Sequence, residues 1–522
     1  MQYRTLTSLA GSGVLLGALT ACSSGGDDDT GPGTPPSGDG PDPLFAAQWH
    51  HDNTGQNGGT AGEDARTPEA WALGVDGTGS RISIVDNGLQ LGHPDLLGNA
   101  VPNGSKSFTG GGVDPGPGDH GTACAGVANA IRENAIGGLG SAPAAELIGL
   151  NLLLNNTLAN QIDAMTFDNQ NVTVSSNSWG PPDTQGVLEA SPAVWRSAVD
   201  DGVTLGRGGL GTIYTWACGN GATSSGTLVD NSNYDGYANY YGVIAVSAVG
   251  DRGRQAFYSE DGANVWIAAP SEGNSGQAIT TTDLVGSSGF NTGASSSDYE
   301  DPAYTNTFNG TSSSTPLVSG VVALMVDANP NLTWSDVRVI LAQTARMNDP
   351  ADADWTTNGA GFSINHAYGF GVVDAAAAVT AAQTWTSLTP LITEGIADFP
   401  VNEPITDNDP TPVTIPISVS GATINELEYV HVYVDIPDHD FWPDLEIEIT
   451  SPAGTVSRLA TPHAAVTASE NLVLPRMEDW RFGVARCLGE GVNGTWTITV
   501  RDLVGGLTGT VDSVRLEFFG RP

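Results

Sequence analysis

Three side chains in this sequence could together break a peptide bond. Ser312 follows a glycine-marked turn, His120 stands in a short polar segment, and Asp86 follows a β-rich run. A serine hydroxyl is a weak nucleophile until a base removes its proton. A histidine can take that proton and return it to a leaving amine, and an aspartate can hold the imidazole in the required tautomer. The sequence therefore predicts acyl transfer by Ser312, His120 and Asp86.

The oxyanion that forms during acyl transfer needs fixed hydrogen-bond donors. Asn220 can offer its side-chain amide, and the backbone N–H of Ser312 can offer a second donor if a helix begins there. The run from Ser313 to Ala328 is small and apolar, so we expect a buried helix with Pro316 in its first turn, where the missing N–H costs little. The alternative is an ordinary serine-rich loop before a core helix.

The segments that must position these side chains alternate between β-rich and helix-like patterns. The β-rich runs are Arg81–Val85, Val172–Ser176, Thr212–Ala217 and Val243–Val249. This alternation predicts an α/β domain with a parallel sheet, where sites collect at the carboxyl ends of the strands. Asp86 and Asn220 both lie just past such ends, whereas His120 is expected in a loop that runs into a small-residue helix.

Beyond Trp385 the sequence changes to a pattern that alternates with period two. The alternating segments are Tyr429–Val434, Leu445–Ile449, Thr495–Val500 and Val514–Phe518. Such alternation is typical of antiparallel sheets with one buried face. We therefore expect a catalytic domain over residues 42–385 and a separate β-sandwich over residues 386–522.

The N-terminus predicts export and a lipid anchor. Residues 1–21 carry one early positive charge and an uncharged run that ends in Leu19-Thr-Ala-Cys22, which resembles a bacterial lipoprotein signal peptide. That resemblance implies cleavage before Cys22 and lipidation of its thiol, with residues 22–41 as a flexible tether. We expect a protein of the bacterial cell envelope, anchored in the outer membrane on its periplasmic or surface face, or released from it. The alternative is a secreted protein with a chance cysteine.

The charge balance limits the classes of partner. The formal net charge is −40, from 58 acidic and 18 basic residues. Such a field repels phosphate backbones, which argues against nucleic acid, and attracts basic peptides and Ca²⁺. General solubility is the alternative explanation for most of these charges.

The cysteines do not form a disulfide scaffold at this chain length. Apart from Cys22, the chain has Cys124, Cys218 and Cys487. An odd number predicts at least one free thiol unless one of them pairs with another molecule. We interpret Cys124 and Cys218 as buried structural thiols.

Several short motifs together resemble the kexin/furin branch of the subtilisin-like serine proteases, in which the triad also follows the order Asp, His, Ser. The motifs are Asp86-Asn-Gly88, His93-Pro-Asp-Leu96, His120-Gly-Thr-Ala-Cys-Ala-Gly126, Ser178-Trp-Gly-Pro181, Trp216-Ala-Cys-Gly-Asn-Gly221, Asp235-Gly-Tyr237, Gly310-Thr-Ser312 and His366-Ala-Tyr-Gly-Phe-Gly371. The resemblance implies a subtilisin-like parallel sheet flanked by helices, then an all-β, jelly-roll-like sandwich called the P domain. It also implies a serine endopeptidase.

The resemblance further implies a preference for basic substrates. Asp183 and Asp235 match the two acids at the base of the family's primary specificity pocket, so Arg is expected before the scissile bond, with Lys second. Ser178, Trp179 and Gly180 match residues that line the substrate cleft.

At the neighbouring substrate subsites, the residues of this chain match the family pattern less closely. The family commonly has acids at the positions of Asn87 and Pro117, so a preference for paired basic residues stays open, with Asp119 as a candidate replacement. Glu189 is a candidate for a further subsite.

Two calcium sites are also implied by the resemblance. The first comprises the side chains of Asp42, Asp95 and Asn134 with the carbonyls of Ile131, Ile136 and Gly138, and the second comprises Asp183, Asp230 and Glu260. Hard oxygen ligands with several backbone carbonyls suit Ca²⁺ better than Mg²⁺. The alternative is that these acids are ordinary solvated loop residues.

Family members normally carry an N-terminal prodomain that assists folding. The stretch between Cys22 and Asp42 is short for a prodomain, so we expect folding without one or with a chaperone supplied in trans. Two other functions stay open: a subtilisin-like protease of broad apolar specificity, and a surface lipoprotein that binds a partner without catalysis. The complete set of Asp86, His120, Ser312 and Asn220 argues against the latter.

Overall fold

The computed structural model describes residues 40–224, 226–274, 276–465 and 474–522. The predicted signal peptide and all but the last two residues of the predicted tether, Cys22 included, lie outside these ranges. Within them, none of the helices is both apolar enough and long enough to cross a membrane. The helices are α1 (Thr67–Trp71), α2 (Asp119–Asn129), α3 (Leu158–Thr166), α4 (Ala193–Leu205), α5 (Thr311–Ala328), α6 (Trp334–Thr344) and α7 (Ala375–Gln383).

A six-stranded parallel sheet forms the centre of the first domain, with the strand order β2-β1-β3-β4-β7-β8. The strands up to α7 are β1 (Arg81–Val85), β2 (Glu146–Leu150), β3 (Val174–Asn177), β4 (Ile213–Ala217), β5 (Thr223–Ser224), β6 (Thr227–Leu228), β7 (Ile244–Val249), β8 (Val265–Pro270), β9 (Ile279–Thr282), β10 (Tyr304–Phe308), β11 (Thr356–Thr357) and β12 (Ser363–Ile364). The predicted α/β class is confirmed. The sheet strands are buried almost throughout, as expected when helices cover both faces.

Helix α5 is the central element of the core, because every residue from Thr311 to Val326 is buried. The prediction placed its start two residues later, at Ser313. Pro316 therefore lies in the second turn instead of the first, which corrects the prediction. The prediction of a loop around His120 is also wrong, since α2 begins at Asp119 and His120 stands in its first turn.

The second domain is a sandwich of two antiparallel four-stranded sheets, which confirms the predicted β-sandwich. Its sheets have the orders β13-β20-β15-β18 and β14-β19-β16-β17. The strands are β13 (Ile392–Ile405), β14 (Asp409–Val419), β15 (Glu426–Ile436), β16 (Leu445–Thr450), β17 (Val456–Ala460), β18 (Met477–Val484), β19 (Gly494–Asp502) and β20 (Gly509–Arg521). The alternating burial of β16 and β19 follows the sequence pattern that predicted them.

The two domains belong to one compact unit, residues 36–522. Tyr429, Leu488 and Phe519 of the sandwich join the apolar cluster that contains α5. The ring of Phe519 stacks on Tyr241 of the first domain with centroids 3.9 Å apart. The sandwich is thus packed against the first domain through apolar surface, which favours a fixed arrangement over a mobile one.

Candidate active site

Asp86 and His120 form a hydrogen-bonded pair at the carboxyl end of the parallel sheet. Asp86 follows the last residue of β1, and its two carboxylate oxygens lie 2.9 and 2.8 Å from Nδ1 of His120. The carboxylate is buried, whereas the imidazole is 28 % exposed. Because Asp86 accepts from Nδ1, the other ring nitrogen, Nε2, is left to act as base.

Ser312 stands in the first turn of α5, and two local features position it. Gly310 precedes the helix with φ +78°, a conformation that side chains rarely adopt. The carbonyl of Ser312 would normally accept from the N–H four residues later, but that residue is Pro316, which has none. The hydroxyl of Ser178 and the thiol of Cys124 donate to this carbonyl instead, at 3.1 and 3.4 Å. Tertiary contacts therefore replace a helical hydrogen bond directly behind the nucleophile.

The side chain of Asn220 is oriented by its contacts with the same helix end. Its Oδ1 accepts from the backbone N–H of Thr311 at 2.8 Å and from the hydroxyl of that residue at 3.0 Å. The amide NH₂ is therefore free to donate into the cleft. The backbone N–H of Ser312 belongs to the first turn of α5, where N–H groups have no helical acceptor. These two donors can stabilise an oxyanion.

Ser312, His120 and Asn220 line one cleft of about 380 Å³. The Oγ of Ser312 makes no hydrogen bond to His120 within the described residues. The hydroxyl, the imidazole and the amide nevertheless face the same space. Such an arrangement can activate the serine toward a carbonyl carbon and stabilise the tetrahedral intermediate.

The environment of His120 favours its protonated form. Burial disfavours the imidazolium, but Asp86, with Cys124 adding to the effect, raises the pKa of His120 well above its ordinary value. Cys124 lies beneath the pair, with its sulfur 3.8 Å from Nδ1 of His120. Burial raises the pKa of this thiol, so it stays protonated and can donate to the carbonyl of Ser312.

Acidic side chains line the part of the cleft next to Ser312. Asp235 is half-buried, and desolvation raises its pKa to about 7. Burial also raises the pKa of Glu189 to about 7, with Asp230 adding to the effect. Gly180 leaves the carboxylate of Asp235 open, since a Cβ on this glycine would lie 3.0 Å from Oδ2. Neither Asp235 nor Glu189 forms an ion pair within the described residues.

The predicted substrate-binding residues are all found around this cleft, which is lined by Ser178, Trp179, Gly180, Asp183 and Asp235. The ring of Trp179 packs edge-on against Trp216 with centroids 4.6 Å apart. The residue before Gly180 is therefore anchored in an aromatic cluster.

The second predicted calcium site consists of three acids that line the same cleft: Glu260 is buried, Asp230 is half-buried and Asp183 is exposed. Burial, with Asp230 and Asp183 nearby, raises the pKa of Glu260 well above its ordinary value. Burial raises the pKa of Asp230 to about 6. A Cβ at Gly219, where φ is +107°, would lie 2.2 Å from Oε1 of Glu260, so the backbone passes very close to this acid. A cation bound among these three carboxylates would relieve their repulsion, but their oxygens do not all lie within 4.8 Å of one another, so binding would require them to move closer together.

The first predicted calcium site also fits a cation. Burial raises the pKa of Asp95 to about 7, with Asp42 adding to the effect, and Oδ2 of Asp95 is buried without a hydrogen-bond partner in the described residues. The carbonyls of Ile131, Ile136 and Gly138 accept no hydrogen bond from the described part of the chain. Free carbonyls beside an orphaned carboxylate oxygen are what a Ca²⁺ ion requires.

Asn134 is also a predicted ligand of this site, but both polar atoms of its side chain already make hydrogen bonds within the protein. Its Nδ2 donates to Asp95 at 2.7 Å, and its Oδ1 accepts from the backbone N–H of Ile136 at 3.1 Å. Coordination through Oδ1 would require the amide to turn over, whereas Asp42 and Asp95 present oxygen atoms as they stand.

The sequence analysis missed an aromatic wall on the opposite side of Ser312. Phe257, Phe290 and Phe308 line a second cleft that shares His120 and Ser312 with the first. The ring of Phe308 packs edge-on against His120 with centroids 5.5 Å apart. The three phenylalanines come from different loops and strands, so no local pattern could have joined them.

Comparison with known families matches both domains. The profile of the Subtilase family matches residues 77–371, and the profile of the proprotein convertase P-domain matches residues 427–518. The chain belongs to the subtilase family of serine proteases. The triad residues and Asn220 lie within the first match, and the resemblance to the kexin/furin branch is confirmed.

Curated relatives are convertases of animals. A PC3-like endoprotease variant of Hydra vulgaris is 34 % identical over 480 residues, which cover 88 % of this chain and 63 % of that protein. Human neuroendocrine convertase 2 is 32 % identical over 480 residues, which cover 88 % of this chain and 70 % of the relative. This subtilase therefore spans less than two thirds of the Hydra protein.

Solved structures match the whole fold. The serine protease of Aeromonas sobria is 30 % identical, has a TM-score of 0.84, and the match covers 92 % of this chain and 96 % of that one. The same protease in complex with its chaperone gives the same TM-score. The subtilisin-like fold with a following sandwich is therefore confirmed.

Replacing Asn220 tests the oxyanion donors. We expect Asn220→Ala to lower kcat by about 10²- to 10³-fold with little change in KM, since the amide acts on charge that develops only in the transition state. Steady-state hydrolysis of a peptide substrate measures this, with Ser312→Ala as the inactive baseline. Ser313→Ala is the control, because its hydroxyl bonds Ser271 and points away from the cleft. A rise in KM at unchanged kcat would contradict the assignment.

The pH profile tests the coupling of His120 to Asp86. Catalysis needs neutral His120, and the raised pKa means that the imidazole is already protonated at a pH where a free histidine would be neutral. As the pH falls, we therefore expect kcat/KM to be lost at a midpoint above about 6.5. Asp86→Asn should move this midpoint down and lower kcat by roughly 10⁴-fold. A wild-type midpoint below that of free histidine would refute this coupling.

Proposed function

We propose that this subtilase is a calcium-dependent serine endopeptidase that cleaves after basic residues, Arg before Lys. The observation that carries the proposal is the acid-lined cleft beside Ser312, whose lining includes the half-buried Asp235 and Glu189, both with raised pKa values. Desolvation disfavours the charged form of both carboxylates, so a substrate that supplies a cation would stabilise that form. The planar guanidinium of Arg can bond two carboxylate oxygens at once, which the ammonium of Lys cannot.

The residues of the site perform the reaction in two halves. His120 takes the proton of Ser312 as Oγ attacks the scissile carbonyl carbon, and the oxyanion is stabilised by Asn220 and the backbone N–H of Ser312. His120 then gives the proton to the leaving amine, and the C–N bond breaks to leave an ester. A water molecule attacks this ester with His120 as base, which releases the acid and restores the hydroxyl.

We propose a weaker preference for a second basic substrate residue than for the one immediately before the scissile bond. Asn87 stands beside Asp86, and its Nδ2 donates to Asp119 at 2.8 Å. Asp119 also accepts from the backbone N–H of His120 at 2.8 Å. Since these bonds already occupy Oδ1 of Asp119, we propose recognition mainly through the residue immediately before the scissile bond.

The other candidate functions receive less support. A protease of broad apolar specificity would pair poorly with the buried acids of the cleft, although the aromatic wall around Phe257 suits apolar residues after the scissile bond. A binding lipoprotein without catalysis would not require the Asp86–His120 pair or an oriented Asn220. We therefore rank both below the endopeptidase.

Calcium is proposed as a structural ion at both predicted sites. Asp42 and Asp95 with free carbonyls would hold one ion, and Asp183, Asp230 and Glu260 the other. The ion supplies positive charge that offsets buried carboxylates and fixes their loops. At the second site this would also fix Asp183, which lines the specificity cleft.

Two further proposals concern the membrane anchor of the protein and its folding. The lipoprotein motif at Cys22 supports an anchor in the bacterial envelope, with the outer membrane as its place, and fractionation of cells that express Cys22→Ser tests this anchor. The Aeromonas sobria protease, solved with a chaperone, supports folding assisted in trans. Full activity after expression without any added chaperone would count against assistance.

Substrate preference tests the specificity cleft. We expect peptides with Arg before the scissile bond to be hydrolysed faster than matched peptides with Phe, and we expect Asp235→Asn to lower kcat/KM for the Arg peptide by about 10- to 100-fold, the equivalent of roughly 1.5–3 kcal/mol for a hydrogen bond to a charged group. The Phe peptide should change little. Asp440→Asn, at an exposed residue of the sandwich, is the matched control. Equal rates for the two peptides in the wild type would reject the basic preference.

Removal of calcium tests the ion sites. A ligand at a hundred times its Kd stabilises the folded state by about 2.7 kcal/mol, so chelation should lower Tm by several degrees and reduce activity. We expect added Ca²⁺ to restore both and added Mg²⁺ to fail. Glu260→Gln removes a buried charge, so the variant should lose part of the Tm response to Ca²⁺ without losing stability in chelator. A Tm that is the same with chelator and with Ca²⁺ would refute the proposal.

A further inference from the structure

One segment of the first domain lies between the specificity cleft and the sandwich. This segment, residues 233–239, includes Asp235. On one side it pairs with the backbone of Glu189, whose N–H donates to Tyr234 at 2.9 Å and whose carbonyl accepts from Gly236 at 2.8 Å. Asp235 is therefore presented by a short strip of chain whose other side contacts the sandwich.

The sandwich binds both ends of this segment through strand β18. At one end, the side-chain amide of Asn233 makes two bonds to the backbone of Gly483, of 3.1 and 2.7 Å. At the other end, Nδ2 of Asn239 donates to the carbonyl of Arg481 at 2.7 Å. Amide side chains that pair with a strand backbone fix both position and rotation, because donor and acceptor must both be aligned.

The side chain of Arg481 reaches the middle of the segment. Its Nη2 lies 2.6 Å from the carbonyl of Gly236, 2.7 Å from Oδ1 of Asn239 and 3.4 Å from the hydroxyl of Ser191. Arg481 is buried and makes no ion pair with a carboxylate in the described residues. A buried guanidinium that bonds backbone and amide oxygens gains its stability from their fixed geometry.

The peptide that Arg481 holds joins Gly236 to Tyr237, and its N–H is the one that bonds the carboxylate of Asp235. The position of the Asp235 carboxylate depends on that backbone, since its Oδ1 accepts from the N–H of Tyr237 at 2.7 Å. Displacement of a binding group by about 1 Å can cost roughly 10²-fold in rate, even when the change lies far from the chemistry. A contact from the sandwich can thus set how well the cleft receives a substrate cation.

We propose that Arg481 of the P domain is a positioning residue for the specificity cleft, which holds Gly236 and thereby places Asp235 for a substrate guanidinium. This inference rests on the proposed basic specificity. It gives the sandwich a part in substrate selection in addition to its packing against the core. The simpler alternative is that Arg481 only fastens the two domains together.

Two arginines of the sandwich allow this alternative to be tested. Arg521 is also buried at the domain interface, but it contacts Glu428 and the carbonyl of Thr389, away from the cleft. We would compare Arg481→Met with Arg521→Met in the full chain. The readouts are Tm, kcat and KM for matched Arg and Phe peptides, with the enzyme concentration set by titration of active sites.

For Arg481→Met we expect the Arg-to-Phe ratio of kcat/KM to fall by about 10- to 100-fold, mainly through KM for the Arg peptide. Arg481→Lys should retain part of the wild-type ratio. Its ammonium can donate to the carbonyl of Gly236, but it cannot reproduce the planar hydrogen-bonding geometry of the guanidinium. Arg521→Met should lower Tm and leave the ratio unchanged. If Arg481→Met yields no folded protein, Arg481→Lys and Asn233→Ala carry the test, and each should lower the ratio.

The outcomes separate this inference from the proposed function. A wild type that favours Arg, together with Arg481 variants that keep the wild-type ratio, overturns the inference alone. An equal fall of the ratio in Arg521→Met overturns it as well, since the effect then belongs to domain docking in general. A wild type without preference for Arg overturns the proposed function, and this inference with it.

Discussion

Partly desolvated carboxylates in the cleft beside Ser312 impose the main physical constraint on this protein. Burial raises the pKa of Asp230, Asp235, Glu189 and Glu260, and some of these acids raise the pKa of one another. Backbone N–H groups satisfy part of each carboxylate; Asp230, for example, accepts from Gln185 and Gly186 at 3.0 and 2.7 Å. A bound cation would stabilise the charged form of these acids. Calcium at the second site and a substrate guanidinium in the cleft would both compensate the negative charge of these carboxylates.

The nucleophile depends on a different kind of constraint. An isolated helix beginning at Thr311 would leave the carbonyl of Ser312 without a donor, because Pro316 interrupts the ladder. Ser178 comes from the end of β3 and Cys124 from α2, and both donate to that carbonyl. The serine is thus held by three elements that are distant in sequence. This explains why Ser178 and Cys124, which have no direct part in the chemistry, lie so close to Ser312.

The sandwich contributes to the site through its loops as well as its strands. The ring of His463 stacks on Tyr234 with centroids 4.8 Å apart, and its Nε2 lies 3.2 Å from the carbonyl of Gly186. Gly186 donates to Asp230 at 2.7 Å. Together with the contacts of Arg481, these bonds attach the P domain to the chain on two sides of the acidic cleft. The arrangement of the cleft is therefore a property of both domains.

The sequence by itself determined the elements whose patterns are local. The β-rich runs at β1, β3, β4 and β7, the apolar run of α5 and the period-two strands β16 and β19 were predicted, because burial of one element imposes its own periodicity. The motif residues of the site were likewise visible, since Ser312, His120 and Asn220 each stand in a short distinctive segment. Only the tertiary structure decided how Pro316 is accommodated, which phenylalanines surround His120, and that Arg481 supports Asp235. Those outcomes depend on contacts between segments far apart in the chain, and no local periodicity records such contacts.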